Sequence, residues 1–173
     1  MKNTFKKSLG VLFDLNIGLW IGMLIADMAI PLVISMLFGR IELVDRLFRV
    51  LGFLVVATIV LFFRAYKSFR KARLTHKIEN WKLTEIVVPV CIALIVQFGI
   101  SSILGYGMYV TGAGYYLGWI IYNVDGAIFS RTDVPTIYYI CGTLMTYPFY
   151  IASVIIGYKI GFNSAYNSLP KED

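Results

Sequence analysis

The stretch IGMLIADMAIPLVISM, residues 21–36, holds one carboxylate, Asp27, inside an apolar run, with Pro31 one turn later. An acid at membrane depth either exchanges a proton or cation, or in its protonated form clamps a neighbouring helix through a hydrogen bond. A second polar group, Gln97, stands in EIVVPVCIALIVQFGISSILGYG, with Ala93, Ser101 and Gly105 continuing its side at four-residue steps. Small residues at that spacing let helices approach closely, and a glutamine both donates and accepts across the contact. At about 100° per residue, Asn16, Trp20, Met23, Asp27 and Pro31 fall on one stripe of a helix. Thr146 belongs to a small or hydroxylated side with Gly142, Ser153 and Gly157. These residues read as an intramembrane polar layer of Asp27, Gln97, Asn16, Ser101 and Thr146, with Asp27 and Gln97 at one depth.

The elements that must carry this layer follow from composition. Of the 173 residues 58% are hydrophobic and 15% charged, and the mean hydropathy is +0.73, whereas soluble domains carry about 25% charged residues. The reading is an all-α integral membrane protein, one polytopic domain over 1–173, with spans at about 15–38, 47–63, 86–104 and 136–157. An aspartate at the bilayer centre costs about 2.5–3.5 kcal/mol, which about six Leu, Ile, Val or Phe residues in the same helix offset. Beyond Arg49 near its start, the second span has only Thr58 as a polar residue and is expected to face lipid or a sister subunit. Pro31, Pro89 and Pro148 each interrupt one of the other three. Cys91 and Cys141 lie at opposite depths, so no disulfide is expected between them.

Between the third and fourth spans, segment 105–135 is expected outside the cytoplasm. Its core, YGMYVTGAGYYLGWIIYNV, is rich in tyrosine, which favours the headgroup level, and in glycine, which weakens a lone helix. It reads as an interfacial or re-entrant cap, with a fifth helix as the alternative. Of the chain's Lys and Arg residues, only Arg40, Arg46, Arg49 and Arg131 fall on that side. The positive-inside rule then places both termini in the cytoplasm, and a sequence with neither a lipidation motif nor an N-x-Ser/Thr sequon suits a plasma (inner) membrane.

The loop 64–85, RAYKSFRKARLTHKIENWKLTE, is the strongest surface feature. Arg64, Lys67, Arg70, Lys71, Arg73 and Lys77 form a cationic extension of the second helix, with Tyr66, Phe69 and Trp81 available to dip into the interface. Anionic lipid headgroups and a cytoplasmic protein partner both suit it, while no nucleic-acid-binding fold accompanies the charge. No catalytic constellation appears: His76 is the lone histidine, and neither HExxH, GxSxG nor a Walker loop is present. No cofactor is implied. The expectation is a non-enzymatic membrane subunit that oligomerises or anchors and senses within a complex, docking a partner through the basic loop. The alternative is a small transporter or channel using Asp27 as a proton or cation site.

Overall fold

Apolar length turns the expected spans into helices, and the side chains around them decide where each begins. The computed structural model describes residues 2–29, 31–33, 36, 42–75, 82–125 and 134–166. Helix α1 covers Lys2–Leu24 and passes into a π-helical turn at Ile25–Ala29; α2 is Glu42–Leu74, α3 Thr84–Leu104, α4 Met108–Thr111, α5 Ala113–Asp125 and α6 Thr136–Tyr166. The described residues contain no strand. Four stretches are long and apolar enough to cross a membrane: Thr4–Leu24, Leu43–Leu74, Thr84–Leu104 and Thr136–Ala165. The chain is a multi-pass membrane protein.

Several boundaries differ from the sequence reading: the second span begins at Leu43 rather than residue 47, the fourth runs to Ala165 rather than 157, and two differences have a visible cause. The first span begins at Thr4 rather than at residue 15, because the polar residues that lower its early hydropathy are accommodated in place. Ser8 donates to the Thr4 carbonyl at 2.9 Å, and Asp14 accepts from Arg64 of α2 at 2.8 Å. The π turn follows from Pro31, which has no amide to offer the carbonyl four residues back, so the helix widens before it. The second helix continues through the basic segment to Leu74. The expected cationic extension is its last three turns, which take up the first half of segment 64–85.

Helix α2 is the hub, packing on α1, α5 and α6. Its face Phe53, Ala57, Leu61 and Ala65 is buried at four-residue steps, while Leu51, Val55, Ile59 and Phe63 on the other side are exposed. Only one side of this helix is left exposed, so the expected contact with lipid or a sister subunit is open to that side alone. Glycine pairs four residues apart set the contacts. A Cβ on Gly18 would stand 2.9 Å from the Ala57 Cα, and one on Gly22 3.2 Å from that of Phe53, so α1 runs antiparallel to α2. A Cβ on Gly157 or Gly161 would stand 2.5 Å from the carbonyl oxygen of Phe62 or Tyr66, so α6 runs parallel to α2. Backbones approach this closely only where side chains are missing.

The glycine-rich segment is helical after all. Gly105, at φ 87°, turns the chain back from the end of α3, and Gly112, at φ 54°, starts it outward again; both lie in the left-handed region that glycine tolerates. Gly114 and Gly118 of α5 meet Thr143 and Tyr138 of α6, with virtual Cβ contacts of 2.6 Å. The glycines weaken a lone helix but seat a paired one. With 13 residues, α5 is about 20 Å long and falls short of a bilayer core of about 30 Å.

Gly157→Leu should lower the thermal midpoint of the detergent-purified protein by several degrees, matching an overpacking cost of about 1–3 kcal/mol. Gly99→Ala, whose Cβ meets nothing within 4 Å, should leave it unchanged. Equal melting of both variants would show that α2 and α6 are not in backbone contact.

Candidate functional site

The polar layer assembles from α1, α3 and the returning segment. Asn16 donates through Nδ2 to Gln97 Oε1 at 3.1 Å and to the Leu12 carbonyl at 2.8 Å. Gln97 Nε2 donates to the Val110 carbonyl at 2.9 Å, and the Ser101 hydroxyl donates to the Gln97 carbonyl at 2.9 Å. Gln97 and Ser101 are buried. One glutamine thus ties α1 to α3 and holds the folded-back chain at mid-height on α3. An amide suits this junction because it donates to a carbonyl and accepts from a second amide at once.

Two members of the expected layer stand apart from it. Thr146 is buried but donates to the Thr143 carbonyl of its own helix at 2.7 Å. The Asp27 side chain lies outside the described residues, while its backbone belongs to the π turn. That turn is about 16 Å along α1 from Asn16. Continued about one and a half turns past Gly22, the antiparallel register with α2 brings Asp27 level with Phe48. Gln97 therefore meets Asn16 and not the level of Asp27, because α1 enters the bundle earlier than its hydropathy suggests.

Aromatic anchoring at the Phe48 level was not foreseen from sequence. Arg46 stacks over the Trp119 ring at 3.7 Å. Arg49 pairs with Asp45 at 2.9 Å and donates to the Tyr116 hydroxyl at 3.3 Å. These contacts pin α5 to α2, and Tyr115 stacks on Tyr139 at 4.9 Å to join α5 to α6. The signal was present as arginines three residues apart opposite aromatics three residues apart, the spacing that repeats one helix face. Deeper in, the Tyr147 and Tyr150 hydroxyls are buried with no hydrogen-bond partner among the described residues.

At the other end, the basic residues stand on helix rather than on loop. Lys67, Arg70 and Lys71 are exposed. Arg64 is also exposed and is paired to Asp14, while Arg73 is half-buried over the Phe162 ring at 5.0 Å. Tyr66 and Phe69 do not dip toward lipid: Tyr66 shares a hydrogen bond with Ser164 at 3.4 Å, and Phe69 packs edge-on against Tyr158 at 3.9 Å. The ends of α2 and α6 therefore run parallel and in contact, locked by Gly157 and Gly161, a prong that carries its cations on the outer side and has the starts of α1 and α3 alongside it. Lys77, His76 and Trp81 lie outside the described residues. Among the described residues no cluster of three or more His, Cys, Asp or Glu could hold a metal, and both cysteines are free thiols.

Compared with known protein families, curated proteins and solved structures, the chain finds no match.

A double-mutant cycle of Asn16→Ala and Gln97→Ala, read by unfolding in detergent, should give a coupling of about 0.6 and at most about 1.7 kcal/mol. Asp27→Asn should add independently to either variant. Coupling of Asp27 to Gln97 with none to Asn16 would invert the assignment.

Proposed function

We propose that this chain is a non-enzymatic subunit of a plasma-membrane complex, with both termini cytoplasmic, that docks an acidic cytoplasmic protein through the prong formed by α2 and α6. One observation carries the reading: Lys67, Arg70 and Lys71 project from a helix locked to its neighbour, and none makes an ion pair among the described residues. A charge cluster that served only topology or headgroup contact needs no fixed geometry. A protein partner does, since rigid presentation lowers the ordering cost of binding. Helix α2 has 33 residues, about 50 Å, and so outruns a hydrocarbon core of about 30 Å by roughly 20 Å. The aromatic α4–α5 hairpin supports an extracytoplasmic cap that re-enters only as far as Gln97. Both faces of the bundle left exposed between these ends are apolar, which suits lipid or a second copy.

A rival reading, a small transporter or channel using Asp27, draws on the π-helical turn there, since such turns are frequent at functional sites. The outcomes of two experiments separate them. A photo-crosslinking residue at Ser68 in native membranes should trap a cytoplasmic protein, and the adduct should vanish in Lys67→Glu/Arg70→Glu/Lys71→Glu and fade at high salt. A triple variant that inserts and still traps the same protein would refute docking through this face. In proteoliposomes the wild type should pass no proton or cation current; a flux abolished by Asp27→Asn would establish the rival.

A further inference from the structure

Among the described glycines inside the spanning helices, most stand against a neighbouring backbone, and Gly10 and Gly99 do not. Gly18 and Gly22 of α1 touch the α2 backbone, but a Cβ on Gly10 would meet nothing within 4 Å. Opposite Gly10, α2 presents Ala65, Ser68 and Ala72, and the helices still do not close. The result is a half-open cavity of about 270 Å³ at the same end of the bundle as the prong, lined by all four spanning helices. Its inner wall includes Leu61, Val90 and Val154, which are buried and apolar. Beyond them the core closes through Leu15, Leu94 and Tyr150.

The mouth carries charge of both signs. Asp14 and Arg64 neutralise each other at 2.8 Å. Lys7 and Glu85 also line the cavity, and neither makes an ion pair or a side-chain hydrogen bond among the described residues. Pro89, on the same wall, removes the amide that the Glu85 carbonyl would receive in an unbroken helix. One cation, one anion and a spare carbonyl therefore stand at the rim of an apolar hole. The rim lies where the apolar run of α2 gives way to its cationic extension, the level of lipid headgroups.

We propose that this cavity binds one membrane phospholipid with a zwitterionic phosphoethanolamine head, one acyl chain filling the bundle end. The phosphate meets Lys7 and the Ser68 hydroxyl, and the ammonium meets Glu85 and its carbonyl. An apolar void at this depth loses dispersion contacts on every wall, and a hydrocarbon chain restores them. A head with phosphate alone satisfies Lys7 and leaves Glu85 repelled, so the unpaired acid selects against purely anionic lipids. The inference depends on the membrane placement of the bundle and not on partner docking.

Native mass spectrometry of the full chain, released from micelles holding equal phosphatidylethanolamine and phosphatidylglycerol, tests it. The wild type should retain one phosphatidylethanolamine. Lys7→Gln and Glu85→Gln should each weaken retention roughly fivefold, the factor of one surface charge contact. Gly10→Phe, which fills the cavity and replaces a poor helix former, should abolish retention with an unchanged or raised melting point, and Gly10→Ala should keep it. Preference for phosphatidylglycerol, retention indifferent to Gly10→Phe, or a wild type that leaves the micelle without lipid would each overturn the proposal.

Discussion

Close approach of backbones along α2 is the constraint on which the rest depends. Between helices in lipid the hydrophobic effect gives no net drive, because the acyl chains are as apolar as the side chains. What remains is van der Waals contact and hydrogen bonding, and both need the backbones near. Gly18 and Gly22 seat α1, and Gly157 and Gly161 seat α6 on the same hub. Once those registers are set, the polar side chains have little freedom in what they meet: Asn16 arrives at Gln97, Asp14 at Arg64, and Tyr66 at Ser164.

The same constraint explains the two ends. At one end α5 is too short to span, and it is held by arginine–aromatic stacking on α2 and by Gly114 and Gly118 on α6. At the other, α2 and α6 stay locked beyond the apolar band and carry their cations on a rigid support. The cavity opens beside Gly10, where no neighbouring backbone comes close, with Lys7 and Glu85 at its rim. Prong and cavity share a boundary at Arg64 and Ser68, so a lipid seated in one would border any protein docked on the other.

Class, span number and the helical character of the chain were legible in the sequence, because hydropathy over some twenty residues reports directly on what a bilayer demands. The third span was read nearly to its ends, since no charge lies inside it. Depth along α1 was not legible: Lys6, Lys7 and Asp14 depress its hydropathy, and the Arg64 that neutralises Asp14 sits in another helix. Reading that span too late put Asp27 at the level of Gln97, where Asn16 stands. The cationic extension of the second helix over residues 64–74 was legible, because charge marks a bilayer boundary but does not end a helix. Glycines 114 and 118 were taken at their propensity in isolation, although their spacing of four was the signal for close packing.

The register of α1 against α3 fixes which polar groups meet inside the bundle. Cysteine pairs introduced into a background with Cys91→Ser and Cys141→Ser, oxidised in native membranes, read that register without detergent. Asn16→Cys with Gln97→Cys should form an intramolecular disulfide readily, and Asp27→Cys with Gln97→Cys should form none. Efficient cross-linking of the second pair and none of the first would place Asp27 at the centre of the bundle and contradict the structure described.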